Sequence, residues 1–496
     1  MVRFFHRRTL IAVLLLPAAI LSCTGRRGGV SDEPAIITTI LSERESFYYL
    51  STTGYPAGDR TLPVGVFDSG TGGLTVLEAI LAADAFNNET MEKGSDSLPD
   101  FSDERFIYLA DQANMPYGIY SSEGKTDLLV EHVIKDAQFL MSERYYASDT
   151  STTWITGKDR VKAIVVACNT ATAYGLPALM RFIESTGTGL KVIGVIDAGA
   201  RGALQLFAPG EDGSIGVLAT VGTVASGGYD ATIRRMAEAA GSYGDIMIFS
   251  QGGHGIAEAV DGERDFTDRS VTAPRNDYRG PSLGDSLFRI ERHLLDAYNF
   301  SFSENKMLCD AENAGDCTVM QINDPENYMR YHIVSLLEKI RQTPDAHPLK
   351  VIILGCTHYP YLTETINQVL TELRNLRDTA GYRYRDLMDE EVHLVDPSVN
   401  VATELYEHLT RTELYSESPV SGGIEFYISV PNSGNPQVKV DNMGRFTYEY
   451  KYGRSAGENQ EYVKVVPFSP LNIPEETLQR LKQYTPLSYR AIVSRW

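Results

Sequence analysis

The chain has no lysine- or arginine-rich block, and its 45 basic residues are outnumbered by 65 acidic ones, for a net charge of −20. Proteins that track a phosphate backbone gather positive charge on one face, so this balance gives no sign of a nucleic-acid partner. It does not exclude a small anionic ligand, which backbone amides can hold whatever the global charge. Cysteine is scarce, at five residues, and no C-x-x-C or H-x-x-x-H spacing occurs. Zinc sites built on such spacings are therefore not expected, and no metal ligand set is assigned. Exact internal repeats are absent. The apolar run TLIAVLLLPAAIL covers about 13 residues, too short for a lasting membrane span.

What is present begins with that run. It follows the positive stretch MVRFFHRR and ends at Leu21-Ser22-Cys23, which resembles a bacterial lipoprotein box. The expectation is a signal peptide over 1–23, lipidation at Cys23, and a membrane-tethered protein facing the periplasm or the outside. An ordinary signal peptide, or an anchor leaving the rest in the cytoplasm, is the alternative. Export implies an oxidising compartment. There Cys309 and Cys317, closing the short turn-rich loop CDAENAGDC, can form a disulfide, although spacing alone does not prove one.

A length of 496 residues and a hydrophobic content of 43% predict two or three domains with sizeable cores. Residues 24–60 are polar and aperiodic and read as a tether. From Val64 onward β-like runs (VGVF, FIYLA, KAIVVA, KVIGVI, SIGVLA, DIMIFS, VIILG) alternate with amphipathic helical stretches such as TDLLVEHVIKDAQFLM. That rhythm predicts an α/β fold of parallel sheets covered by helices, with ligands at the carboxyl ends of the strands. The expected division is a first lobe over 61–197, rejoined by about 392–430, and a second lobe over 198–391. An insertion at about 262–349 should hold helices near 282–298 and 325–342. A C-terminal extension over 412–496 should carry β-like alternation in IEFYISV and GRFTYEYKY and a helix near PEETLQRLKQY.

Two strand tips carry chemistry. VKAIVVACNTAT ends its apolar run at Cys168, and VIILGCTHYPYL ends its run at Cys356. A cysteine after a strand is most often only buried. Two facing across a cleft could instead take a proton from one face of a carbon and return one to the other, inverting a stereocentre. A free thiol with pKa ~8.5 is only about 3% ionised at pH 7. A helix N-terminus and an imidazolium, for which His358 is the candidate, would lower that value. Asp68, in DSGTGG, could orient or relay a proton near Cys168, or simply cap a helix. His254 reads as structural.

Taken together, VGVFDSGTGGLTVL, LADQANMPYG, VVACNTATA, VIGVIDAGARGAL, IGVLATVGTV and LGCTHYP with VDPSVNVATEL resemble, in order, the motifs of cofactor-independent glutamate racemases over roughly 63–410. The resemblance implies two flavodoxin-like lobes around one active site, glutamate as substrate, and no cofactor. It assigns Cys168 and Cys356 as acid/base thiols, assisted by Asp68 and His358. It assigns substrate binding to Asp68, Ser69, Pro116, Tyr117, Gly118, Asn169, Thr170, Thr223, Thr357 and His358. Thr220 is the rival to Thr223, and Glu258 matches a family glutamate only within a poorly matching stretch. His358, where aspartate racemases carry Glu, favours glutamate over aspartate. A homodimer is compatible with such a chain. The family normally works in the cytoplasm, making D-glutamate for peptidoglycan, so an exported member is unexpected. An envelope binding protein for an acidic amino acid is the alternative, but a binder does not need both thiols.

Overall fold

The computed structural model describes residues 34–416 and 423–496. The signal segment and Cys23 lie outside the described residues.

The strands that build the sheets are β1 (Val64–Asp68), β2 (Phe106–Ala110), β3 (Ala163–Val166), β4 (Lys191–Gly194), β5 (Gly213–Ala219), β6 (Ile246–Gly252), β7 (Met307–Cys309), β8 (Met320–Ile322), β9 (Leu349–Gly355), β10 (Met388–Val395), β11 (Ile424–Pro431) and β12 (Val463–Pro467). The helices that bear on the site are α1 (Ile36–Ser42), α2 (Leu74–Ala82), α3 (Thr126–Met141), α4 (Asn169–Thr186), α5 (Val195–Leu204), α6 (Val221–Ala225), α7 (Ile256–Val260), α8 (Pro325–Gln342), α9 (Thr363–Asn375), α10 (Pro397–Arg411), α11 (Tyr448–Gly453), α12 (Glu475–Tyr484) and α13 (Pro486–Val493).

The first sheet has the order β12-β11-β2-β1-β3-β4, parallel throughout except for β12. The second has the order β10-β9-β5-β6 and is wholly parallel. Strands β1, β2 and β3 are buried at every position, as continuous Val/Ile-rich runs must be when helices cover both faces. The two sheets have separate cores, and α10 packs against both α2 and α5.

Several expectations are corrected. Residues 34–60 are no tether. Ile36, Ile37 and Ile40 on α1, with Phe47, Tyr48 and Leu50, are buried in the first core. A run with apolar residues at 36, 37 and 40 was readable as a one-sided helix, but it is short and lies among polar neighbours. The helix expected near 282–298 is absent over 282–291. There the Asp285 carboxylate accepts the amides of Leu287 and Phe288, both at 2.7 Å, a local turn that competes with helix. The helix expected at 325–342 is present as α8, but it belongs to the second lobe. All its residues from Asn327 to Ile340 except Ser335 and Lys339 are buried, and it packs on β6 and α9. The inserted material is thus closer to 262–324, with the β7–β8 hairpin closed by the Cys309–Cys317 disulfide. GRFTYEYKY is not a strand. Thr447 caps α11 by accepting the Tyr450 amide at 3.3 Å, and burial of Tyr452 on Tyr120 decides the conformation over β propensity.

Candidate active site

β1 ends at Asp68, and residues 69–73 turn at once into α2. The Asp68 Oδ2 accepts the amides of Gly70 at 3.1 Å and Gly73 at 2.8 Å. Burial pushes this carboxyl up, against the opposing pull of those amides and of His358. A Cβ on Gly72 would stand 2.7 Å from Thr357 Oγ1 and 2.9 Å from His358 Cε1. Glycine here lets the first loop touch the second cysteine motif, and Thr75 Oγ1 reaches the Thr357 carbonyl at 3.4 Å.

Cys168 caps α4. Its Sγ accepts the Ala171 amide at 3.5 Å and lies 3.7 Å from Ser69 Oγ. A helix N-terminus alone would lower this thiol, but burial, and then the charge of Asp68, drive it strongly upward. The surroundings of Cys168 thus favour the protonated thiol. Beside it, Asn169 Oδ1 accepts the Tyr229 hydroxyl at 2.6 Å. Thr170 Oγ1 stands 3.3 Å from Thr223 Oγ1 and 3.5 Å from Thr220 Oγ1. Both rival threonines thus join one hydroxyl cluster, with Thr220 also capping α6.

The Pro116-Tyr117-Gly118 segment follows β2. The Tyr117 side chain is buried, and its hydroxyl lies 2.5 Å from Asp111 Oδ2 and 2.8 Å from Asp136 Oδ2. Burial and the charge of Asp111 push the Asp136 carboxyl well up. The phenol hydroxyl faces both carboxylates and can donate to either. Tyr117 is a post under the loop, so any substrate contact from this residue falls to its backbone.

Cys356 follows β9 and is buried, with Sγ 3.6 Å from His358 Nδ1. The His358 Nε2 is 3.1 Å from Asp261 Oδ2. Burial works against charge on His358, but Asp261 outweighs it and holds the imidazole proton well above the usual range. Asp261 is likewise opposed by burial, yet His358 and then Arg480 leave its carboxyl below the usual range. The result is an imidazolium–carboxylate pair whose other nitrogen faces a sulfur. Glu258 lies one turn earlier, on α7. Burial pushes its carboxyl up, and the hydrogen bond to His358 belongs to Asp261 instead. His254 stacks on Phe288 at 4.1 Å and its Nε2 meets the Arg279 carbonyl at 2.8 Å.

The two motifs share one site. Asn169, Cys356 and Thr357 line a single cavity with Thr75 and Val76. A segment of 177 residues is 35% identical to the glutamate racemase of Chlorobaculum tepidum, covering 36% of this chain and 48% of that one. The chain is similar to glutamate racemases. The Limosilactobacillus fermentum glutamate racemase is 37% identical over 175 residues, 35% of this chain and 48% of the relative. The chain thus spans about half the length of these relatives. The Lactobacillus johnsonii glutamate racemase matches over 365 residues, 74% of this chain and 87% of its own, at 26% identity. No protein-family model matches. Among solved structures, glutamate racemase isoform RacE1 of Bacillus anthracis covers 74% of this chain and 87% of its own, with TM-score 0.42 and 20% identity. The Francisella tularensis glutamate racemase in complex with D-glutamate covers 80% and 95%, with TM-score 0.42 and 18% identity.

Sequence reasoning missed Asp261 and Arg480. Asp261 sits in a stretch that matches the racemase motifs poorly, and its nearness to Glu258 was the only signal. Arg480 stands on a helix read simply as part of a C-terminal extension.

Proposed function

We propose that this protein interconverts L- and D-glutamate without a cofactor, using Cys168 and Cys356 as thiols on opposite faces of the α-carbon. The observation that carries the reading is the approach of two strand-tip motifs, one from each sheet and each with a buried free cysteine: Asn169, next to Cys168, lines one cavity with Cys356. Cys168 is poised to donate a proton. Cys356 has an imidazolium placed to steady negative charge on its sulfur.

In one direction the Cys356 thiolate removes the α-proton, and the electron pair delocalises into the α-carboxylate. The Cys168 thiol then protonates the opposite face. Cys356 finishes as a thiol and Cys168 as a thiolate, the state that accepts the product enantiomer. Ser69, Asn169, Thr170 and Thr357 would supply fixed donors to the carboxylates, where such preorganised groups act most strongly. The test is incubation of the full-length protein, in mild detergent and reduced, with L-glutamate in heavy water. Loss of the α-proton signal with appearance of D-glutamate is expected. Tight glutamate binding without exchange would overturn the enzyme reading in favour of a binding protein.

We also propose that residues 1–23 direct export and that Cys23 is lipidated. The Cys309–Cys317 disulfide supports an oxidising compartment. Metabolic labelling with palmitate should mark the wild type and not Cys23→Ala. Equal labelling of both, or of neither, rules out lipidation at this position.

A further inference from the structure

The C-terminal helices do more than cover a core. Arg480 on α12 places Nη1 2.8 Å from Asp261 Oδ1, while Asp261 Oδ2 faces His358 Nε2 at 3.1 Å. One carboxylate thus has a partner at each oxygen, an arginine in ion-pair contact on one side and the imidazole in hydrogen-bond contact on the other. The side chains of Arg480, Asp261 and His358 are 17%, 16% and 13% exposed, so solvent screens the triad weakly. Next to it, Tyr484 packs against Tyr361 at a tilt, with ring centroids 4.6 Å apart.

Arg480 is also tied to the opposite lobe. The chain turns from α12 into α13, whose first amides, Leu487 and Ser488, donate to Glu78 of α2 at 2.9 and 2.8 Å. Helix α13 packs on α2 and β11 of the first sheet's lobe. The triad therefore joins a cation anchored on the first lobe to a carboxylate and imidazole on the second. The same C-terminal region supports the other wall of the site. Lys451 donates to the Met115 carbonyl, and Arg454 Nη2 donates to Asn114 Oδ1 at 2.7 Å, immediately before Pro116.

We propose that Arg480 is a positioning residue of the racemisation site: by fixing Asp261, it keeps the His358 imidazolium aimed at Cys356. This rests on the racemase reading, in which Cys356 is one of the two bases. Asp261 left without Arg480 would be free to turn about its side-chain bonds, and His358 would lose its directed partner. Because the arginine comes from the first lobe's side, the second thiol is fully supported only when the lobes are together. The other titratable groups facing the triad are Asp68 from β1, Glu258 on α7, Glu263 and Tyr361. These stay in place in the variants below.

The test uses Arg480→Gln and Arg480→Lys in the full-length protein. Arg480 does not line the cavity with Cys356, so Arg480→Gln should lower kcat by about ten- to a hundredfold with KM nearly unchanged, the scale of a small misplacement. Since the two directions share one equilibrium constant, kcat/KM must fall equally in both. Arg480→Lys, which keeps the charge, should recover most of the loss. A second readout does not depend on racemisation. In the Cys168→Ser background, the iodoacetamide alkylation rate of Cys356 between pH 6 and 9 reports how well His358 supports its sulfur. Arg480→Gln should slow that alkylation severalfold at neutral pH. Unchanged alkylation with unchanged kcat, or a fall in thermal stability alone, overturns the positioning role. Slowed alkylation in a protein that does not racemise glutamate would retain the positioning role and overturn the racemase reading instead.

Discussion

Cys168→Ser and Cys356→Ser should each lower racemisation by about 10²–10⁴-fold, the usual worth of a positioned acid/base group. A serine hydroxyl fits either site but gives up its proton far less readily than a thiol. The loss should be one-sided in a diagnostic way. With Cys356 alone intact, the protein can remove and return a proton on one face only. In heavy water it should then exchange the α-proton of one enantiomer without inverting it. The other variant should exchange the opposite enantiomer. Exchange of the same enantiomer by both variants, or inversion within about tenfold of wild type in either, would exclude the two-thiol scheme. The pH dependence follows from His358. Its folded value is raised, so the pair with Asp261 is fully formed below its unfolded value of about 6.5 and is lost as pH rises through the folded value. Activity that depends on Cys356 should therefore hold through neutrality and fall on the alkaline side.

Lys162→Met should destabilise the first lobe by about 3–5 kcal/mol, the cost of leaving a buried charge without its partner. Lys162 Nζ lies 2.6 Å from Glu104 Oε2, and both side chains are wholly buried. The same nitrogen donates to the carbonyls of Arg60 at 2.7 Å and Leu414 at 2.8 Å, while Ser416 N donates to Glu104 Oε1 at 2.9 Å. Burial pushes the Glu104 carboxyl up and the Lys162 ammonium down, each against the pull of the other. The knot sits where β1, β2 and β3 begin, the opposite edge from the site. A thermal melt should show the loss, and Glu104→Leu added to Lys162→Met should restore much of it. The folded fraction should keep its kcat. A melt unchanged by Lys162→Met alone would show that water reaches the pair.

The parts legible from sequence were those with a local signature. Seven β-like runs became strands of the two sheets because buried parallel strands need continuous apolar sequence, although KVIGVI passes into α5 at Val195. Cys168 and Cys356 stood out because a strand tip is where such a sheet opens. Asp261 and Arg480 escaped notice because their meaning is relational. Neither shows a pattern in its own neighbourhood, and they come together across 219 residues of chain only when both lobes have formed. The burial of α1, and of Tyr452 in a short helix where alternation suggested a strand, are likewise set by what packs against them.

The place of β11 also governs how the protein can be made. Its partner is β2, with Ile424 beside Phe106 and Ile428 beside Ala110. On a ribosome adding about 5–20 residues per second, roughly 300 residues separate the two strands, so the β2 edge waits about 15–60 s for its neighbour. During that interval it is an apolar strand with unpaired backbone groups, the kind of edge that recruits other chains. The first lobe starts early in synthesis and is finished late, so the β2 edge stays open to wrong partners for that whole interval.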